Sequence, residues 1–257
     1  LNETFLVDGK QCEDTIINKQ QDSFRKSFSF ITFDINLNFK ELDDDEKFKK
    51  EVLESYSLEF NIRFFVLFYK VFRRGIAEGK ISYKKTYSFL ESNTWYIHKF
   101  DRKLRSNEIE EETNWLTLIA PGLYDFFNQF ELSMLLNTNR IGNYILALDS
   151  LTLKFEGALR DFIRLCGGST TKIVNENTQE QLLEDLINNE KIKELLSEKD
   201  IELFVFAFKK KGRDIRNNIA HSFFAFSDYS LQNVALIILC FLRLGKYKFT
   251  EQTKNNS

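Results

Sequence analysis

Proline and histidine are both scarce in this chain. Pro121 is the single proline, glycine occurs 10 times in 257 residues, and the two histidines are His98 and His221. Long proline-kinked linkers and glycine-rich phosphate-binding loops are therefore unexpected. Any chemistry that uses an imidazole has to be carried by one of these two histidines.

Cysteine is also sparse, and its spacing argues against two kinds of site. The three cysteines are odd in number and far apart, at Cys12, Cys166 and Cys240, with no Cys-x-x-Cys or Cys/His spacing. A disulfide framework and a zinc site are both unexpected. We predict no metal, no cofactor and a reducing, cytoplasmic environment.

The chain lacks an excess of positive charge and an apolar run of membrane length. Its formal net charge is −2, so a polyanion would have to bind to a local basic patch. The most apolar stretch, VALIILCFL at 234–242, is too short to cross a bilayer and is typical of a core helix. We expect no membrane contact. The first residue is Leu1 rather than methionine, as in a fragment or a processed chain.

Residues 1–41 differ in pattern from the rest of the chain. Apolar and polar residues alternate strictly in FDINLNF (33–39), at the period of a half-buried strand. The preceding SFSFIT can pair with this strand or form a bulge, and Asp8-Gly9 can form a tight turn. The pattern predicts a small β-containing leader.

From Asp43 onward the sequence predicts helices. DDDEKFKKEVLE begins with acids and continues with lysines, as the helix dipole favours. FNIRFFVLFYKVFRRG (60–75) predicts a buried helix capped by Gly75, and residues 80–100 predict another helix. The charged stretch 102–114 is a predicted boundary. Pro121 predicts a break or kink between two helices.

The second half shows a clearer helical period. One apolar stripe recurs every three or four residues over 141–168 and ends at Gly167-Gly168, through Ile141, Ile145, Leu148, Thr152, Phe155, Leu159, Phe162 and Cys166. A polar connection and further helical segments follow, ending with 228–245. We predict a mainly α protein with a 1–41 leader, an N-terminal helical region at 42–112 and an antiparallel helical bundle at 113–257.

The stretch GRDIRNNIAHSF (212–223) concentrates hydrogen-bonding side chains before an apolar run. On a helix over 213–226, residues four apart share one face, which gathers Arg213, Asn217 and His221. Arg216 lies in the adjacent row. Ile215, Ile219, Ser222 and Phe226 are predicted to face a core.

These groups suit RNA cleavage without a metal. A neutral imidazole can accept the proton of a 2′-hydroxyl or protonate the leaving 5′-oxygen. A guanidinium can bind two phosphate oxygens and stabilise the charge that develops in the transition state. The Asn217 amide can orient the phosphate. We assign binding of the RNA phosphates to Lys210, Lys211 and Arg213.

Arg216-Asn217-x-x-Ala220-His221 resembles the Arg-polar-x(3–5)-His signature of HEPN domains, helical modules common in bacterial toxins and antiviral systems. FEGALRDF, NENTQEQLLEDL and SEKDIELFVFAF resemble the closing helices of an uncharacterised bacterial HEPN-like family, so the likeness covers roughly 113–250. One departure is that Ser222 follows the histidine, where that family often has glycine.

The resemblance implies a metal-independent endoribonuclease that acts as a homodimer, with both motif helices meeting at one composite site. Arg216 and His221 would be catalytic, Asn217 would occupy the polar position, and Glu156 would be an accessory residue. The expected setting is a bacterial toxin or antiphage system, with RNA as substrate and an antitoxin or another defence protein as a further partner.

Other interpretations remain open for the same residues. Arg216, Asn217 and His221 can form a polar helix face of a non-catalytic dimerisation or binding module within a larger defence protein. The run KKKGR (209–213) can be a solvated helix end, and Glu156 and Arg160 can be a plain ion pair four residues apart. His98 can be a packed helix residue, and the phenylalanine stripes can be core.

Overall fold

The computed structural model describes residues 6–20, 31–33, 39–41, 43–103, 110–137, 143–174 and 177–247. Over these ranges the protein is mainly helical, as predicted. The helices are α1 Gly9–Gln20, α2 Asp44–Glu59, α3 Val66–Ala77, α4 Tyr83–Asn93, α5 Trp115–Leu135, α6 Ile145–Leu165, α7 Leu183–Ile187, α8 Glu190–Leu195, α9 Glu198–Phe208, α10 Ile215–Ala220 and α11 Leu231–Gly245.

The strands form antiparallel two-stranded pairs. They are β1 Ile31–Phe33 with β2 Phe39–Glu41, β3 Phe100–Lys103 with β4 Glu110–Thr113, and β5 Thr171–Val174 with β6 Asn177–Glu180. The small N-terminal β element is therefore confirmed, but the single strand predicted over 33–39 is wrong, because Phe33 ends β1 and pairs with Phe39 of β2. Residues 34–38 lie outside the described residues. The sequence stretch interpreted as a polar connection after α6 forms the β5–β6 hairpin instead.

The tight turn predicted at Asp8-Gly9 is wrong, because helix α1 begins there. The Gly9 N–H donates to Glu202 Oε2 at 2.9 Å, and a carboxylate at this position satisfies a helix donor that has no intrahelical acceptor. A Cβ on Gly9 would lie 2.5 Å from Glu202 Oε1. This glycine therefore permits close packing of α1 on α9 rather than a turn.

The helix predicted from the acidic start is confirmed, since Asp43 caps α2 by accepting a backbone N–H. A π-helical segment, Phe60–Phe65, joins α2 to α3. The prediction of a buried helix ending at Gly75 is wrong. Ile62 and Val71 are more than half exposed, and α3 continues past Gly75, where a Cβ would lie 2.5 Å from the Ile81 side chain.

The helix predicted over 80–100 and the break predicted at Pro121 both differ in the structure. The helix expected over 80–100 is confined to α4, and a 3₁₀ turn and the strand β3 follow it. The charged stretch 102–114 contributes strand β4. Helix α5 runs from Trp115 to Leu135 with Pro121 inside it, so the predicted break between two helices is absent from this part of the chain.

Helix α6 lies at the centre of the core and confirms the predicted apolar stripe from Leu148 to Phe162, while Ile141 lies outside the described residues. Leu148, Thr152, Phe155, Leu159 and Phe162 are all at most 2% exposed. The ring of Phe155 stacks on Phe208 of α9 at 4.7 Å and meets Phe241 of α11 edge-on at 5.3 Å. This packing fixes α6, α9 and α11 against one another and thereby positions α10. No described helix is both long and apolar enough to cross a membrane.

Candidate functional site

The motif begins after a tight turn that is fixed by Gly212. The Arg213 N–H donates to the Phe206 carbonyl at 2.7 Å, and a Cβ on Gly212 would lie 2.1 Å from that oxygen. The position therefore excludes any side chain. Asp214 follows in the left-handed conformation, with φ of 48°, and α10 begins at Ile215.

The end of α10 corrects the predicted helix over 213–226. The Ser222 N–H donates to the Ile219 carbonyl at 3.1 Å, and the Phe223 N–H donates to the Asn218 carbonyl at 2.8 Å. This pair of bonds, with Ser222 left-handed at φ 57°, is a Schellman motif that ends the helix at His221. Ser222 and Phe226 are exposed rather than facing a core. Glycine is the usual residue at such a left-handed position. The serine that replaces the family's glycine therefore lies at the left-handed position that ends the helix.

Arg216 is held by a carboxylate from the central helix. Its Nε donates to Glu156 Oε2 at 2.9 Å and its Nη1 to Asn217 Oδ1 at 3.3 Å. The Arg216 side chain is 26% exposed and that of Glu156 is 12% exposed. Within the described residues Nη2 donates no hydrogen bond, so this nitrogen can still bind a ligand oxygen.

Glu156 is also bound by Arg160, as the spacing of four residues predicts. Arg160 Nη2 donates to Glu156 Oε1 at 3.0 Å, and Arg160 Nε lies 3.3 Å from Glu180 Oε2. The Glu156 carboxylate therefore accepts hydrogen bonds from the guanidinium groups of both Arg160 and Arg216. The structure places Glu156 against the motif arginine. From the sequence, only the family resemblance indicated a role for Glu156.

Asn217 links the arginine to the start of the helix. Its Nδ2 donates to Asp214 Oδ1 at 2.8 Å, while its Oδ1 accepts from Arg216. Burial raises the pKa of the Asp214 carboxyl above its ordinary value, against the lowering effect of the Asn217 hydrogen bond. The amide thus orients the guanidinium within the protein before any ligand binds.

His221 lies at the surface. Its imidazole stacks against Phe223, with ring centroids 5.5 Å apart and ring planes at 27°, and the residue is exposed. No group in the described part of the chain forms a hydrogen bond with this ring. Both nitrogens are therefore available for proton transfer.

The three residues assigned to phosphate binding do not share one surface. Lys210 and Lys211 are exposed, whereas Arg213 points into the fold. Its Nη1 donates to Asn233 Oδ1 at 3.4 Å and its Nη2 to Asn61 Oδ1 at 3.3 Å. The guanidinium lies 5.6 Å from the Phe206 ring centroid, and burial lowers its pKa.

The structure adds Lys193 to the lysines chosen from the sequence. Lys193 of α8 and Lys211 line one groove of about 640 Å³. Burial lowers the pKa of Lys209, and the nearby ammonium groups of Lys193 and Lys211 lower it further. Lys193 precedes Lys211 by 18 positions in the sequence, so no local motif connects the two residues.

The site therefore combines an exposed imidazole, a partly exposed guanidinium and an oriented amide. Among the described residues no cluster of three or more histidine, cysteine or acidic side chains is arranged to hold a metal ion. The three cysteines, Cys12, Cys166 and Cys240, form no disulfide. Comparison with family models, curated proteins and solved structures finds no match to this chain.

Proposed function

We propose that the protein is a metal-independent endoribonuclease of HEPN type, with a HEPN-like helical bundle and a role in toxin or antiphage defence. The observation that supports this proposal best is the exposed imidazole of His221, five residues after an arginine whose side chain is 26% exposed. Proton transfer and phosphate binding both need solvent-accessible groups.

In the proposed reaction the 2′-oxygen bonds to phosphorus as the bond to the 5′-oxygen breaks. His221 accepts the 2′-hydroxyl proton, and the 5′-oxygen leaves with a proton from an imidazolium, which in a homodimer the second copy supplies. Arg216 binds the non-bridging oxygens, whose negative charge increases in the transition state. Asn217 keeps the guanidinium oriented. The products are a 2′,3′-cyclic phosphate and a 5′-hydroxyl.

The test is cleavage of total RNA by the protein and two histidine variants. We expect His221→Ala to lower the rate at least about 100-fold, since it removes the acid–base group. His98→Ala is the matched control, because His98 is also exposed, and it should cleave normally. Cleavage that survives in His221→Ala, or that EDTA stops, would contradict the mechanism.

A second candidate function is a non-catalytic binding or dimerisation module for an antitoxin or another defence protein. The Arg216–Glu156 ion pair favours it, because this contact already satisfies part of the guanidinium inside the protein. In that case the purified protein would leave RNA intact, and Arg216→Ala would change its oligomeric mass in light scattering.

A further inference from the structure

Two phenylalanines beside the candidate site are exposed to solvent. Phe223 is 63% exposed and Phe226 is 69% exposed, whereas the core phenylalanines of α5, α6 and α9 are almost fully buried. Single exposed apolar side chains are normal on a protein surface, whereas neighbouring ones can mark a binding site. Two of them within four residues therefore suggest a binding surface.

The 221–230 loop that carries these rings is held by specific contacts. The Ala225 N–H donates to Asp228 Oδ2 at 2.8 Å, and Asn233 Nδ2 donates to the Asp228 carbonyl at 2.7 Å. Between the two exposed rings, Phe224 turns inward and meets Tyr229 edge-on at 5.6 Å. The loop thus partly buries Phe224 and leaves Phe223 and Phe226 exposed.

One exposed ring, that of Phe223, contacts the candidate site. The Phe223 ring lies nearly parallel to the His221 imidazole at 5.5 Å. Phe226 is three residues further along, so its Cα lies within about 11 Å of that of Phe223. A nucleotide whose phosphate reaches His221 would therefore have its neighbouring bases next to these rings.

We propose that Phe223 and Phe226 form a stacking platform for unpaired bases that flank the bond to be cleaved, which makes single-stranded RNA the preferred ligand. The proposal rests on the proposed function for the choice of RNA. Unpaired bases stack on exposed aromatic side chains, whereas the bases of a duplex are already stacked on one another. The platform binds by ring contact, and the lysines bind by charge.

Fluorescence anisotropy with an uncleavable RNA tests the platform apart from catalysis. The probe is a 2′-O-methyl RNA of about 12 nucleotides, within the usual size of single-strand sites, used alone and as a duplex. We expect Phe223→Ala and Phe226→Ala each to weaken single-strand binding about ten-fold. Phe223→Trp, which keeps an aromatic ring, should bind the single strand as tightly as the unmodified protein does. None of these variants should change duplex binding.

Phe89→Ala is the matched control, because Phe89 is 54% exposed but lies on α4. The salt dependence separates stacking from charge. Phe223→Ala should keep the slope of log affinity against log salt, whereas Lys210→Ala should reduce it by about 0.7.

Two results would overturn the platform. One is single-strand binding by Phe223→Ala and Phe226→Ala that equals that of the unmodified protein. The other is a loss of oligomeric mass in these variants without RNA, which would assign the rings to a protein interface. If the unmodified protein binds RNA through the rings but never cleaves it, the platform stands and the proposed nuclease function fails.

Discussion

Two arginine–carboxylate pairs in this protein differ in their access to water. Arg243 Nε lies 2.5 Å from Asp200 Oδ1, and the two side chains are 2% and 0% exposed. Arg216 Nε lies 2.9 Å from Glu156 Oε2, with side chains 26% and 12% exposed. The chemistry is the same in both pairs, but only the second is reachable from solvent.

The surroundings of the two carboxylates explain what each pair can do. Asp200 also accepts from Ser197 Oγ at 2.9 Å and from the Tyr247 hydroxyl, and Lys246 Nζ lies 2.8 Å away. Burial alone raises the Asp200 pKa, but the hydrogen bonds from Arg243, Lys246 and Tyr247 outweigh it and hold this pKa below its ordinary value. The Asp200 pair therefore joins α9 to α11, whereas Arg216 stays partly exposed to solvent.

The largest effect should come from breaking the buried pair. We expect Asp200→Asn to lower the free energy of unfolding by about 3–5 kcal/mol, because it removes the charge that a buried guanidinium and an ammonium share. Urea unfolding followed by circular dichroism measures the loss. A change below about 1 kcal/mol would contradict the assignment of this pair to fold stability.

The same pair predicts a pH dependence with a defined sign. The folded-state pKa of Asp200 lies below its ordinary value of 3.8, so its stabilising contribution is complete above about pH 4. The contribution decreases as pH falls through the folded-state pKa. The gap in unfolding free energy between the unmodified protein and Asp200→Asn should shrink on acidification from about pH 6 to pH 3. A gap that grows on acidification would contradict the depressed pKa of Asp200.

Breaking the partly buried Arg216–Glu156 pair should cost less stability. We expect Glu156→Gln to lower the unfolding free energy by about 1–2 kcal/mol, since hydrogen bonds to charged groups at a partly buried position are lost. Glu180→Gln is the control, because Glu180 is 53% exposed and its pairs should contribute at most about 1 kcal/mol.

Glu156→Gln should also strengthen RNA binding about three-fold by removing a negative charge next to the phosphate. Anisotropy with the 2′-O-methyl probe measures this change. Weaker binding would show that Glu156 mainly orients Arg216.

The smallest predicted effect concerns the end of the motif helix. Ser222 has φ of 57°, a conformation that is unfavourable for any residue with a Cβ. We expect Ser222→Gly to stabilise the protein by up to about 1 kcal/mol in urea unfolding. Ser227→Gly lies in the same loop without a positive φ and should give no gain. Stabilisation by both variants would indicate a general loop effect.

Local sequence patterns predicted much of the helical fold but less of the site. The stripe on α6 and the acidic start of α2 depend on neighbouring residues, so periodicity and the helix dipole identified both. The end of α10 at His221 was missed, because a left-handed serine gives a weak sequence signal where glycine would give a strong one. The contact of Arg216 with Glu156 spans 60 residues, so helix packing rather than any motif creates it.

The sequence alone therefore determined the mainly helical class, the central helix and the arginine, asparagine and histidine of the motif, because these follow from residue type and spacing. The tertiary structure decided that Arg243 is enclosed, that Arg213 bonds to Asn233 and Asn61 within the fold, that Arg216 and His221 remain accessible, and that Phe223 and Phe226 face solvent. Accessibility depends on which distant segments pack over a side chain, and short-range patterns carry no information about that packing.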